Sequence, residues 1–366
     1  MLQIHSTVIR RSLQAALTAS LAWAGQSAWS QGLEEVVVTA QKREQGLQDV
    51  PIAVEAFSAQ QITNLSAQDI GDLGTFTPNV AISKAANQPN YAIRGIGTDD
   101  FGIGADPAVG VYQDGVYIGR SGGSKVAFND LARVEILNGP QGTLFGRNAA
   151  AGAIQYISNK PEEELYGWAR GTVGNYDRYQ VDGVANVPLA DNLFFRVGLL
   201  WNQRDGWIDN VYNGNDLARQ GNRSVVTQLR WLPTDRLDTI LRLEFDQTDE
   251  DSRVASSAVR GPRDNGAGFN KVASDSDLSE KRNLYGASWH LTYDMDWATL
   301  TSISSYRYFN SKNPEEKDGS AELYFFFNDL NREKNDQFGQ EFRPYGETGP
   351  RFRWTTGVHA YYELAR

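Results

Sequence analysis

From Pro161 onward the chain repeats one pattern, a run of about nine to twelve residues in which every second side chain is apolar, and that repetition leaves few folds open. Leu241, Leu243 and Phe245 interleave with Arg242, Glu244 and Asp246. Tyr285, Ala287, Trp289, Leu291 and Tyr293 interleave with Gly286, Ser288, His290, Thr292 and Asp294. Phe352, Trp354, Thr356, Val358, Ala360 and Tyr362 interleave with Arg353, Thr355, Gly357, His359 and Tyr361, and weaker versions run through Phe195 to Trp201 and Val225 to Trp231. A period of two puts each set on one face of a β-strand. Nine strands are predicted, near 165–173, 177–187, 192–203, 223–232, 236–247, 283–294, 297–308, 335–345 and 351–363. Soluble sandwiches alternate in the same way, but the connections discriminate. Those at 188–191, 233–235, 295–296 and 346–350 are short, whereas 204–222, 248–282 and 309–334 are long, polar and acidic, with 174–176 the one brief connection on that side. Short turns at one end and long loops at the other are the arrangement of outer-membrane barrels. The strand lengths match the ~9–11 residues needed to cross a bilayer at a tilt, and Trp231, Tyr285, Tyr293, Trp297 and Tyr306 near strand ends suit the interfacial girdles.

Composition narrows the chemistry. With 35 basic against 45 acidic side chains the chain repels phosphate backbones, so nucleic acid is excluded as a partner. The absence of cysteine removes disulfide scaffolds, thiolate catalysis, iron–sulfur clusters and Cys-ligated zinc. His5, His290 and His359 are the only histidines, too few for an imidazole metal site. Neither a metal nor a cofactor is expected. The acidic stretches Asp249-Glu250-Asp251 and Asp275-Ser276-Asp277 lack the Gly-centred spacing of a calcium loop and read as solvated external loops.

Residues 1–30 read as a secretory signal. Arg10 and Arg11 precede the uncharged apolar stretch Leu13 to Trp29, and Ala28 and Ser30 permit cleavage before Gln31. Residues 31–44 follow as an extended segment, Glu34-Glu35-Val36-Val37-Val38-Thr39-Ala40 before a polar tract; its β-branched run prefers the extended state. It either donates a strand to another protein's sheet edge or begins the next domain. Residues 45–160 form a Gly-punctuated domain of short strands and one or two brief helices, and 161–366 the barrel strands. Ser58 with Gln61 resembles a capping box opening a helix over Ala59 to Leu65. Ala92 to Gly97 reads as a strand, and Gly110 to Ile118 as two strands joined by an Asp114-Gly115 hairpin turn. Leu131 to Leu137 leads into Asn138-Gly139-Pro140-Gln141-Gly142-Thr143-Leu144-Phe145-Gly146-Arg147-Asn148, and Gly152 to Ser158 is a last strand.

Val134 to Pro161, with Ile93-Arg94-Gly95 and Val111-Tyr112 to Tyr117, resembles the plug domain of TonB-dependent outer-membrane receptors, and Glu34 to Ala40 resembles their TonB box. The resemblance is close over 34–160 and one of pattern beyond. It implies an α+β plug domain followed by an antiparallel transmembrane β-barrel in the outer membrane. It further implies that Glu35, Val36, Val37, Val38, Thr39 and Ala40 pair with the TonB energy-transducing protein. The plug motif falls on Arg94, Gly95, Asp114, Gly115, Glu135, Gly139, Pro140, Gln141, Gly142, Gly146, Arg147, Asn148 and Gly152. Expected partners are TonB, outer-membrane lipid and a siderophore-like ligand bound near 95–105 and 119–125. The expected function is active uptake of a ferric siderophore, with cobalamin or oligosaccharide as alternatives and no enzyme activity. One departure is Asn138, where the family carries a base; a plug–wall lock made by that base is in doubt.

A passive porin would need neither plug nor box. Gly119-Arg120-Ser121-Gly122-Gly123 fits the nucleophile elbow of a secreted serine hydrolase, but both downstream histidines fall inside alternating strands. Gly139 to Gly146 lacks the Gly-Lys-Ser/Thr of a phosphate-binding loop. Nine strands is an odd count, whereas single-chain bacterial barrels are even and plugged transporters have about 22. Nine would leave two unpaired edges in lipid. The barrel is therefore expected to be incomplete, and the chain to be the N-terminal part of a protein roughly twice as long.

Overall fold

The computed structural model describes residues 37–83, 89–98, 104–252, 270–316, 328–349 and 351–366. The signal at 1–30 and box residues Glu34 to Val36 lie outside the described residues, as do 99–103 within the expected ligand region.

The plug begins with β1 (Val54–Ser58) and α1 (Ala59–Asn64). Ser58 and Gln61 form the expected capping box, each side chain bonding the other's backbone N–H, and Leu65 closes the helix. A second capping box, Asp69 with Asp72, starts α2 (Ile70–Gly74). Strands β2 (Val80–Ser83), β3 (Asn90–Ile93) and β4 (Ile96–Gly97) form a small sheet. Ala92 to Gly97 is thus not one strand: Arg94 (φ 54°) and Gly95 (φ 78°) make a two-residue turn, with Ile93 facing Ile96. The left-handed pair required by a tight hairpin turn overrides the strand propensity of the flanking isoleucines.

The main plug sheet holds β1, β5 (Val109–Gln113), β6 (Val116–Ile118), β7 (Leu131–Asn138) and β8 (Gly152–Ser158), in the order β1-β7-β8-β5-β6. Asp114 (φ 49°) and Gly115 (φ 83°) supply the hairpin turn between β5 and β6. The pairing of β8 with β5 is parallel and the others are antiparallel. One face buries Ile93, Val111, Val134, Ile136, Ile154 and Tyr156. The other buries Tyr112, Tyr117, Leu137 and Ala153 with Phe145 of the short α3 (Gly142–Phe145). Gly152 is required by packing, since a Cβ there would fall against the Leu137 carbonyl and within 2.6 Å of Ile93 Cδ1.

The remaining chain is one antiparallel sheet: β9 (Tyr166–Gly174), β10 (Arg178–Ala190), β11 (Leu193–Arg204), β12 (Gln220–Thr234), β13 (Leu237–Asp251), β14 (Ser279–Asp294), β15 (Thr299–Glu316), β16 (Asn328–Thr348), β17 (Phe352–Thr355) and β18 (Val358–Ala365). It is unclosed, with β9 at one edge and β17 and β18 at the other. Among the described residues no helix is long and apolar enough to cross a membrane; the crossing elements are strands. Leu241, Leu243, Tyr285, Trp289, Phe338 and Tyr362 remain exposed on the outer face, while the interleaved Arg242, Glu244 and Arg307 are buried toward the plug.

The strands run further than the alternation predicts. β15 and β16 reach well into 309–334, and β12, β13 and β14 a short way into 204–222 and 248–282, because their polar ends continue the same ladder, as Lys281 does with Asp249 and with Lys312. Backbone pairing does not require apolar side chains, so period-two hydrophobicity stops at the membrane band while the ladder goes on. Within the long connections, Ile208–Asn210 pairs with both Asp216–Leu217 and Lys271–Val272. The expected last strand is interrupted at Thr356: its N–H donates to the Pro344 carbonyl (3.1 Å), but proline has no N–H to return.

Candidate functional site

Two features of the plug bear on function: how the segment after the expected box is held, and how the plug is held to the wall. Val37–Val38 is extended. Val37 is 40% exposed, whereas Val38 and Ala40 are completely buried. Thr39 between them meets the carboxylate of Glu135, itself fully buried in the middle of β7. The Thr39 N–H donates to Glu135 Oε1 at 2.8 Å and its hydroxyl lies 3.1 and 3.3 Å from the two carboxylate oxygens. Arg133, two residues along the same face of β7, donates to Oε1 at 2.7 Å, and Gln155 of β8 donates to Oε2 at 3.2 Å. A buried carboxylate surrounded by donors in this way is neutralised where it sits and fixes the segment that reaches it. The chain then turns, Lys42 N–H donating to Thr39 O at 2.8 Å with Lys42 in the left-handed region (φ 61°).

That turn drives the Lys42 side chain into the plug–wall boundary. Its ammonium lies 4.9 Å from the Tyr112 ring centre and 4.6 Å from that of Phe145. Glu341 of β16 stands 3.9 Å away, but its carboxylate is engaged by Arg343. Burial, with the Arg343 guanidinium adding to it, pushes the Lys42 ammonium down to about 7. A cleft of about 1000 Å³ opens beside it, with Lys42 and Arg133 on the plug side and Arg242, His290 and Arg343 on the wall.

The plug motif assembles one compact region. Asp114 accepts the Ser158 N–H and hydroxyl, each at 2.8 Å, tying the hairpin turn to the end of β8. Gly139 N–H donates to Ala151 O and Gln141 N–H to Ala149 O, so Gly139-Pro140-Gln141 folds back along the approach to β8. The Gln141 carbonyl accepts from Leu144 and Phe145, and Gly146 (φ 78°) and Gly142 bracket the helix. Arg147 and Asn148 both reach Asp106 (2.6 and 3.1 Å), and Asn148 also donates to the Tyr117 hydroxyl (2.7 Å). Arg94 lies beside Gly139. Glu35 and Val36 lie outside the described residues.

Asn138 bonds within the plug, to Glu55 (3.3 Å) and Ala53 O (2.9 Å). The plug is joined to the wall elsewhere. Arg196 of β11 grips Asp130 through two bonds of 2.6 and 2.7 Å, both side chains being nearly inaccessible. Arg242 of β13 lies 3.2 Å from Asp114, Arg120 bonds Glu333 at 2.6 Å, and Lys125 pairs with Glu250. Gln337 of β16 clasps β6, accepting Gly119 N–H (3.0 Å) and donating to Tyr117 O. Sequence reasoning missed Lys42, Gln155, Asp130 and Arg196, since nothing local marks a pair whose members are 66 residues apart.

Ser121 belongs to a 3-10 turn whose carbonyl accepts the Ser124 hydroxyl, while His290 is bonded to Ser288. Asp249 and Asp251 are engaged by Arg219.

A mixed plug sheet with this glycine-turn motif, joined by buried ion pairs to an antiparallel barrel wall, is the architecture of a plugged outer-membrane barrel. Residues 46–153 match the family model described as TonB-dependent Receptor Plug Domain. Residues 46–153 are thus a TonB-dependent receptor plug domain, and the sheet that follows has the fold of part of such receptors' barrel wall. It is 31% identical over 188 residues to the pesticin receptor of Yersinia pestis, covering 48% of this chain and 27% of that protein. It is 23% identical over 306 residues to the iron-regulated outer membrane virulence protein of Vibrio cholerae, covering 80% and 44%. The ferric yersiniabactin uptake receptor FyuA of Yersinia pestis superposes with a TM-score of 0.74 at 21% identity, over 86% of this chain and 49% of that one. The chain thus spans about half the length of the solved receptor and under half of each of these curated relatives in the matched regions.

Proposed function

We propose that the protein takes part in TonB-dependent active uptake of a large, scarce nutrient across the outer membrane, a ferric siderophore by preference. The observation that carries this is the plug: a domain matched over 46–153 whose N-terminal segment is held by a buried carboxylate, Glu135, through directional bonds that a pull along the chain would break in turn. Glu35 to Ala40 form the TonB box and pair by strand addition with the inner-membrane-anchored TonB protein, main-chain hydrogen bonds supplying the affinity. Proton-motive force then displaces the plug, and ligand gathered by the external loops passes inward. The iron preference is supported by the names of the Vibrio cholerae and FyuA relatives. Ser121 has no catalytic role in this reading.

Proline at Val37 removes a main-chain donor and fixes φ, which impairs an added strand. A complete receptor carrying Val37→Pro should bind ligand at the cell surface as before yet cease to accumulate it. Undiminished uptake would sink the box assignment. Induction of the gene under iron starvation, and not under carbon limitation, checks the substrate class.

A further inference from the structure

Lys42 is a buried cation that shares its one facing carboxylate with a second buried cation. Its side chain is 5% exposed, and two aromatic rings flank the ammonium. The charged and titratable groups facing it come from each element packed there: Glu341 and Arg343 on β16, His359 on β18, and the Tyr112 ring on β5, whose hydroxyl donates to the Phe145 carbonyl. Glu341 is the one acid among these, and two buried cations share it, Arg343 at Oε1 and Lys42 3.9 Å from Oε2, so one positive charge is left over. On the segment itself Glu44 turns away to Lys160 (3.6 Å), and behind Thr39 the Glu135 carboxylate is occupied by Arg133. Three residues upstream sits the Thr39–Glu135 clamp, so the segment cannot leave the plug without drawing Lys42 into water.

We propose that Lys42 makes docking of the 38–44 segment proton-linked: the docked segment favours the neutral amine, and withdrawal of the segment takes up a proton. This rests on the reading of 34–40 as the TonB box for its purpose, acid periplasmic conditions easing the box out for its partner, but not for its physical content.

The sign follows from which state binds the proton more tightly. A docked Lys42 near 7 against about 10.5 in the free segment means that the released state holds more protons between those values. Docking is therefore strongest at alkaline pH, weakens as pH falls towards 7, and is flat below it. From pH 9 to pH 7 the docking equilibrium should drop on the order of fiftyfold.

These 366 residues contain no cysteine, so Val37→Cys, in a full receptor whose remaining part has any cysteine replaced by serine, gives a unique attachment point for a spin label. The urea concentration that mobilises the label is read at several pH values in reconstituted membranes, without TonB. It should fall steadily from pH 9 to pH 7 and then level. Lys42→Met, which keeps the apolar stem and has no proton to take up, should dock firmly at every pH. Lys42→Arg, always charged, should dock weakly at every pH. A wild-type midpoint independent of pH overturns the proposal, as does a slope that survives in either variant, which would assign it to His359 or another neighbour. Because the readout is docking itself, Val37→Pro with unchanged uptake would remove the box assignment and leave this result standing.

Discussion

At the scale of single residues, Glu135 decides how the N-terminal segment is held. It is one of the plug-motif residues legible in the sequence, yet its partner was not. The β-branched run from Val36 to Val38 announces an extended segment, but nothing in it says that Thr39 will cap a carboxylate 96 residues away. Glu135→Gln keeps the shape and loses the charge, replacing charge-assisted bonds from Thr39 and Arg133 with weaker ones. The expected cost to local docking is about 2 kcal/mol. Transient opening of 38–44 should then rise roughly thirtyfold, and trypsin cleavage after Lys42 and Arg43 with it, provided opening and closing are fast relative to cleavage. Equal cleavage rates in the two proteins would show that the carboxylate does not hold the segment.

At the scale of elements, the plug is kept against the wall by ion pairs that join side chains distant in sequence. The pair most enclosed is Asp130 with Arg196, from the loop before β7 and from β11. Removing either partner leaves a buried charge, so Asp130→Asn and Arg196→Met should each destabilise strongly, while the double variant should recover part of the loss. A coupling of about 2 kcal/mol in urea unfolding is expected; additivity would mean that the two groups act independently. The elements themselves were readable wherever local chemistry fixes them. The Ser58 capping box and the Asp114-Gly115 turn followed from residue type, whereas the Arg94-Gly95 turn escaped because Ala92 to Gly97 looks equally like a strand. The wall contacts were unreadable, since alternation tells which side chains face inward but not which of them meets Asp130, Asp114 or Lys125.

At the scale of the whole molecule, the alternation beyond Pro161 together with its short and long connections marks a membrane wall, and the outward row Leu243, Ala287, Tyr306, Phe338 and Tyr362 follows from strand register. Leu243→Arg separates lipid from water as the surroundings of that row. Nearly half exposed, Leu243 would tolerate arginine within about 0.5 kcal/mol on a soluble protein. In a bilayer the same change should cost about 2–4 kcal/mol near the midplane, read as a lower urea midpoint for folding into lipid. A near-neutral result would contradict the membrane orientation.

The surplus length of the strands has a consequence for anything arriving from outside. β15 has 18 residues and β16 has 21, about twice the ~9–11 that a tilted crossing uses. The tight turns hold the inner ends, so the part of β16 before Asn335 stands outward, about 18 Å at ~3.3 Å per residue and a tilt near 40°. Hydrogen-bonded to β15 along its whole length, this height is paired strand. Lys281, Lys312 and Arg332, paired beyond the membrane band, should therefore resist proteases added at the outer surface.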